Sequence, residues 1–341
     1  MISENAHGLE VPTISRFDTA GPRPFWSVMI PTYNPRADYL EEMLRSVLQQ
    51  DPGPEQMQIQ VVDDCSPNVD VEALVRSIVK GRVVFSRTSK NLGLAGCWNA
   101  CVESAQGEWV HILHQDDFVL PGFYVTLRKN IDDPNVGAMF CRNAVVNSSS
   151  HWIDISELHS EASGVLKGLQ EKLFLRQQIQ CPAIVVKRLV YENLGGFSSD
   201  FRFVLDWEMW RRIANHYPMW FEPAILACYR VHPSSATSRL RLEGDDIREI
   251  RKLIEMSTFS RPENDVSRIL ENSRQLHALL AIYNGRELLV KGYPEAARKQ
   301  IIEAVRLSKK WPILWQAISF SILSAKIYGA RLKRRFKLNR R

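Results

Sequence analysis

The sequence predicts an α/β protein, with a mostly parallel sheet flanked by helices and a helical C-terminal region. Three observations carry that expectation. Between Phe25 and Phe140, short apolar runs that stop at polar clusters alternate with segments of helical periodicity, as strands joined by crossover helices do. The 341 residues, 45% of them hydrophobic, suffice for one sizeable core and a second small domain. Beyond Ser238 the strand signals cease and apolar residues recur at helical spacing.

The first strand, Ser27 to Ile30, ends at Pro31-Thr32-Tyr33-Asn34-Pro35, and a helix follows through Leu40, Met43, Leu44, Val47 and Leu48. Gln58 to Val62 makes a second strand that again ends in a polar group, Asp63-Asp64-Cys65-Ser66-Pro67. A helix over Val71 to Val79 and a strand over Arg82 to Phe85 come next. Asn91-Leu92-Gly93-Leu94-Ala95-Gly96 then leads into a helix that carries Asn99 and ends near Ala105. Small residues let the backbone approach a ligand, and a helix N-terminus favours anions, although such a loop more often simply makes a turn.

The fourth strand, Trp109 to Leu113, delivers His114, Gln115, Asp116 and Asp117. Adjacent carboxylates at the end of a buried strand repel each other and lose hydration, which calls for a cation opposite them, most naturally a divalent metal. In an open α/β sheet the ligand crevice lies beyond these strand ends. The alternative is that Asp116 and Asp117 cap the helix after Pro121.

Val136 to Phe140 is a further strand candidate, and residues 147–160 read as a polar loop near the site. Gln177 to Val186 leads into a strand and a helix ending at Gly195-Gly196-Phe197. Asp206-Trp207-Glu208 then opens a segment of strong helical character, where Asp206 is equally readable as an N-cap. Tyr229-Arg230-Val231-His232-Pro233 closes the region.

The formal net charge is +6, yet residues 326–341 hold eight Lys or Arg and no acid, leaving 36 basic against 38 acidic residues elsewhere. A nearly neutral body argues against a nucleic-acid groove, and the tail points to a local anionic contact. Six scattered cysteines without a Cys-x-x-Cys pair read as reduced core residues of a cytosolic protein. Residues 1–22 lack an apolar run of signal-peptide length and read as a flexible leader.

In order, Val28-Met29-Ile30-Pro31-Thr32-Tyr33-Asn34, Val61-Val62-Asp63-Asp64-Cys65-Ser66, Asn91-Leu92-Gly93 with Asn99, Gly107-Glu108-Trp109 through Asp116-Asp117, and Gly195-Gly196-Phe197 before Asp206-Trp207-Glu208 resemble the family 2 glycosyltransferases. These are nucleotide-sugar-dependent inverting enzymes of the GT-A fold, and the likeness covers about residues 26–238. The resemblance implies a catalytic domain over 23–238, with Pro31, Thr32, Tyr33, Asn34, Asp63, Asp64, Asn91, Gly93, Asn99, Gln115, Asp116, Asp117 and Arg230 around the nucleotide sugar. It makes Asp116 the last acid of an Asp-x-Asp motif that ligates Mn2+ or Mg2+ on the diphosphate, with His114 and His232 as further ligands. It makes Asp206 the catalytic base, with Glu208 as the fallback.

Two departures stand out. His114 occupies the place of the motif's first aspartate, which removes one negative charge from the site, and Leu205 stands where the family often has an acid. They keep open a protein that binds nucleotide sugar or glycan without turnover. A nicotinamide-dependent dehydrogenase ranks low because no Gly-x-Gly-x-x-Gly follows the first strand.

Residues 239–310 read as a helical hairpin of the tetratricopeptide kind, Asp265 to Lys291 and Pro294 to Ser308, which needs the catalytic domain or a second copy of the chain to cover it. Residues 311–341 read as an amphipathic helix with a basic tail. Trp311 to Ala325 carries no charge but is too short and polar to span a bilayer. An interfacial helix, with Trp311, Trp315, Phe320 and Tyr328 near the headgroups and the basic tail on anionic lipid, fits this pattern, and a soluble helix with a solvated tail is the alternative. With the resemblance, this implies an enzyme on the cytoplasmic face of a bacterial membrane. Its acceptor would be a glycan or lipid-linked hydroxyl in surface-polysaccharide or lipopolysaccharide assembly.

Overall fold

The computed structural model describes residues 9–17, 21–79, 81–129, 133–257 and 263–321. The chain divides into two compact units, Met1–His232 and Pro233–Arg341.

In the first unit, β1 (Trp26–Thr32) is buried along its whole length and forms the axis of the sheet. α1 (Ala37–Leu48) buries Leu40, Met43, Leu44 and Val47 in the same core as Val28 and Ile30. Their spacing puts them on one helical face, and each such side chain is worth about 1.5–3 kcal/mol of burial. β2 (Met57–Asp63), α2 (Val71–Ile78), β3 (Val84–Arg87), α3 (Gly93–Ser104) and β4 (Trp109–Ile112) continue the alternation. The strands lie in the order β3-β2-β1-β4, all parallel, so their C-terminal ends open on one edge. Gly107 passes so close to β1 that a Cβ there would sit 2.5 Å from the Trp26 carbonyl carbon.

The chain then makes β5 (Phe118–Val119), α4 (Phe123–Lys129), β6 (Ala138–Val146), β7 (Trp152–Ile155), β8 (Gly164–Val165) and α5 (Leu169–Leu175). A short 3-10 turn over Cys181–Ala183 leads into β9 (Ile184–Lys187), α6 (Arg188–Leu194), α7 (Leu205–His216) and β10 (Met219–Arg230). The sheet runs on from β4 through β9, β6 and β10 to β5. β9 is antiparallel to both neighbours, and β10 is parallel to β6.

Four strands depart from the sequence reading: the two-residue β5 and β8, and the longer β7 and β10. The polar stretch 147–160 contains β7, exposed at every residue, which pairs with the end of β6. β10 escaped notice because Glu222-Pro223-Ala224 interrupts its apolar run, and the register with β6 shifts there.

The expected flexible leader is also corrected for residues 9–17. Ile14 is buried, the Ser15 N–H donates to Glu103 at 3.0 Å, and the Gly196 N–H donates to the Pro12 carbonyl at 2.8 Å. A Cβ on Gly195, whose φ is +82°, would meet Val11 at 2.5 Å, so the glycine lets this segment lie flat.

In the second unit, α8 (Ala236–Glu243) and α9 (Asp245–Glu255) precede the hairpin of α10 (Glu263–Lys291) and α11 (Pro294–Leu307). α9 covers the hairpin within the unit: Arg251 pairs with Glu303 at 2.8 Å and Gln300 donates to Asp246 at 2.7 Å. Residues 311–321 form a final described helix, and the basic tail of the sequence reading lies outside the described residues. Among the described residues, no helix is long and apolar enough to cross a membrane.

Candidate active site

The site grows from the carboxyl ends of the parallel strands. After β1, the Tyr33 N–H donates to the Gln115 side-chain oxygen at 2.8 Å, tying the loop to the polar cluster after β4. The Asn34 N–H donates to Ser66 Oγ at 2.8 Å, which joins it to the loop after β2. Asn34, Cys65 and Ser150 are the non-glycine residues with positive φ among the described residues, and all three lie in loops at this edge. Such backbone costs on the order of 1–3 kcal/mol each and collects where structure serves function.

Asp63 and Asp64 face inward. Asp63 accepts from the Ser66 N–H at 3.0 Å and lies 3.4 Å from Arg87, and is fully buried. Asp64 accepts from the N–H groups of Leu92 and Gly93 at 2.7 and 3.0 Å, so its carboxylate holds the start of α3. Asn91 accepts from the Gly93 N–H at 3.1 Å. Of this group Tyr33, Asn91 and Gly93 are exposed, Asn34 is half-buried, and Pro31 and Thr32 are buried.

At the end of β4, ligand atoms of His114, Asp116 and Asp117 all lie within 4.8 Å of one another. His232 Nε2 sits 2.8 Å from Asp116 Oδ2, and His114 Nδ1 lies 3.4 Å from Asp117 Oδ2. Burial works against the Asp116 charge, but the His232 hydrogen bond and nearby His114 hold its carboxyl below the usual range. Burial pushes Asp117 up to about 6, with Asp116 adding to the rise and His114 opposing it. Buried Oδ2 of Asp117 has the His114 ring as its neighbour, at 3.4 Å. Two carboxylates and two imidazoles are a donor set that suits Mn2+ or Mg2+, with nitrogen favouring the former.

Asp206 lies in the first turn of α7, whose N-cap is Val204, so the capping alternative falls. Its Oδ1 accepts from the Trp207 N–H at 2.6 Å. Enclosure pushes its carboxyl up to about 6, against the pull of Trp207, His114 and Gln177. Glu208 is buried and forms a two-pronged pair with Arg212 at 2.9 and 2.8 Å, which removes it as the fallback base. Arg212 in turn holds the carbonyls of Leu194 and Gly196 at 2.7 and 2.8 Å.

Two residues expected on the nucleotide sugar are committed elsewhere. Asn99 donates to the Phe197 carbonyl at 2.9 Å and accepts from the Phe197 N–H at 2.7 Å, clamping the Gly195-Gly196-Phe197 loop to α3. Arg230 is buried, paired with Glu42 at 2.5 Å, and donates to the carbonyls of Asp116 and Asn147 and to Ser150 at 2.7, 3.2 and 3.0 Å. Its guanidinium braces the acidic loop and has no open face for a diphosphate. Sequence reasoning missed Glu42 and Ser150, whose exposed-helix and loop contexts give no signal. It also read Cys181 as a plain core residue, yet its thiol is in hydrogen-bonding contact with His114 and in electrostatic reach of Asp206. Trp98 lies tilted over His114 at 4.7 Å between ring centroids.

The sheet has relatives among solved structures. TarS residues 1–349 from S. aureus, solved with UDP-GlcNAc, superposes with a TM-score of 0.64 at 18% identity, over 83% of this chain and 80% of that one. The mannosyltransferase PcManGT from Pyrobaculum calidifontis, solved with GDP-Man and Mn2+, gives 0.54 at 19% identity, over 94% and 84%. An uncharacterized protein of Mycobacterium tuberculosis is 30% identical over 229 residues, 64% of this chain and 70% of its own length. The model of the family described as "Glycosyl transferase family 2" matches residues 27–194, which takes in every strand end and acidic residue at this edge up to β9 and α6. With the GT-A architecture around them, these matches make the chain a member of glycosyl transferase family 2.

Proposed function

We propose that the protein transfers a sugar, with inversion, from a nucleoside-diphosphate sugar to a hydroxyl acceptor. The observation that carries this reading is the carboxylate and imidazole cluster of His114, Asp116 and Asp117 at the end of β4, in electrostatic reach of Asp206. Exposed Tyr33, Asn91 and Gly93 and the half-buried Asn34 are the groups available to base and ribose. Asp63 and Asp64 shape that pocket by fixing the loops after β2 and before α3.

Asp116, Asp117 and His114, with His232 behind Asp116, would hold the divalent ion. When bound, the ion supplies positive charge to the leaving diphosphate. Mn2+ in the complex of PcManGT supports this choice, and UDP-GlcNAc in that of TarS supports a nucleotide sugar as donor. Asp206 takes the proton of the acceptor hydroxyl as that oxygen attacks the anomeric carbon from the face opposite the diphosphate. A carboxyl raised to about 6 remains ionised at neutral pH and is a stronger base than an ordinary aspartate. We assign the acceptor to the glycans or lipid-linked glycans of cell-surface polysaccharide or lipopolysaccharide assembly, on the strength of the family resemblance.

Calorimetric titration with UDP, GDP and dTDP, each with and without Mn2+, tests the reading on the wild type and on Asp116→Ala. Metal-dependent binding of one nucleotide that disappears in the variant is the expected result. Failure of all three to bind under either condition would overturn it.

A further inference from the structure

The last described helix, residues 311–321, has apolar side chains on two opposite faces. Ile313, Ala317 and Phe320 are buried, which takes Phe320 off the headgroup face that the sequence suggests for it. Trp311, Trp315 and Ile318 are 70%, 57% and 48% exposed. Their spacing of four and three residues puts them in one stripe along the opposite side. The two indoles stack on each other, 6.4 Å between centroids and 29° between planes. The first face is covered, and the second is left in water.

Charge decides what covers it. Exposed Lys309 precedes the stripe, and the chain beyond 321 adds Lys326, Arg331, Lys333, Arg334, Arg335, Lys337, Arg340 and Arg341 with no acid. A second copy docking symmetrically through this face would bring two chains of the same basic sequence together, like charge to like charge. An anionic bilayer surface offers both complements at once: an apolar boundary for the indoles and phosphates for the cations. Tryptophan is at home at that boundary because its apolar ring carries one polar N–H.

We propose that the Trp311, Trp315 and Ile318 face, together with the basic segment that follows it, docks the protein on the surface of an anionic lipid membrane without crossing it. The docking is independent of the chemistry at Asp116 and Asp206. One apolar stripe or one basic segment alone binds weakly and reversibly; two signals on consecutive stretches of chain add.

Sedimentation of the full chain with vesicles of phosphatidylcholine, alone or mixed with phosphatidylglycerol, tests this. We expect binding to the mixed vesicles that weakens with salt, and at least about ten-fold less to the neutral ones. Trp311→Ser with Trp315→Ser, and separately Lys333→Gln, Arg334→Gln, Arg335→Gln and Lys337→Gln together, should each weaken it about ten-fold or more. Both sets leave the packed face of the helix intact, and circular dichroism melts should match the wild type. Absence of binding to either vesicle, binding unchanged by the tryptophan substitutions, or a dimer in light scattering that those substitutions dissolve would each overturn the proposal.

Discussion

His232 Nε2 lies 2.8 Å from Asp116 Oδ2, although 116 residues separate them. The contact joins the loop after β10 to the loop after β4 and helps hold the Asp116 carboxyl in its ionised form. In a metal-holding site a partner of this kind orients the carboxylate, and its loss typically lowers metal affinity about 10–100-fold. His232→Ala should therefore weaken Mn2+-dependent nucleotide binding by about that factor, whereas Asp116→Ala should abolish it. Calorimetric titration of Mn2+ at saturating nucleotide separates the two. Equal affinities in His232→Ala and wild type would show that the histidine does not serve the ion.

Asp206→Asn removes the base and keeps the shape. Turnover should fall about 10²–10⁴-fold, with nucleotide affinity unchanged, as read by product formation and calorimetry on one preparation. In the wild type, kcat/KM should decline as pH falls through about 6, where Asp206 takes up its proton. A variant that binds nucleotide normally and also turns over normally would assign the base elsewhere.

The same carboxyl makes a stability prediction of definite sign. Its folded value of about 6 exceeds the ordinary 3.8, so the folded protein holds a proton more tightly than the unfolded chain. Stability from this group is full below the ordinary value and is lost as pH rises toward 6. At neutral pH the ionised group then costs up to about 3 kcal/mol. Asp206→Asn should melt higher than wild type at pH 7.5, and the gap should close toward pH 4. An inactive variant that is more stable is what a functional carboxylate produces and a structural one does not.

The parallel half of the sheet was legible because each strand is a short apolar run closed by polar residues. Val28 to Ile30 and Val61 to Val62 are buried and stand where the alternation puts them. Asp116 with His114 and Asp117 was legible as a cluster for the same reason, although helix capping explained its two aspartates equally well until the other motifs were read with it. Roles that depend on the far end of a long side chain were not legible. Arg230 precedes His232 by two residues and reads as a phosphate ligand, but its guanidinium turns inward to Glu42 and the Asp116 carbonyl. Asn99 and the Gly195-Gly196-Phe197 motif are 98 residues apart in the Asn99 to Phe197 bond, so no local pattern could pair them. β10 hid behind a proline in its middle.

Arg230 is expected to act as a brace. Arg230→Met removes the donors to the Asp116 and Asn147 carbonyls and leaves Glu42 without its cation. Glu42 is 37% exposed on its side chain, so water repays part of that loss. The remainder is about 2–3 kcal/mol, from hydrogen bonds to a charged donor. Arg230→Lys keeps the charge but cannot reach three acceptors in a fork and should recover little. Thermal melts read the stability, and nucleotide titration should show weakened metal-dependent binding in both variants, because the Asp116 loop loses its support.

Gly196 and Asn99 offer a test of the clamp that positions the start of α7. A Cβ at Gly196 would fall 2.3 Å from Asn99 Oδ1, and that oxygen is held by the Phe197 N–H at 2.7 Å. Gly196→Ala must push the amide away or move the loop that Arg212 grips at the Gly196 carbonyl. Overpacking of this kind costs about 1–3 kcal/mol. Asn99→Ala alone loses two hydrogen bonds at a half-buried position, about 1–3 kcal/mol in sum. The double variant removes the clash along with the bond, so its cost should be less than the sum of the two, by an interaction term of about 1 kcal/mol or more. Strict additivity in chemical denaturation would mean that the two residues do not feel each other, and the clamp would have to be assigned to Arg212 alone.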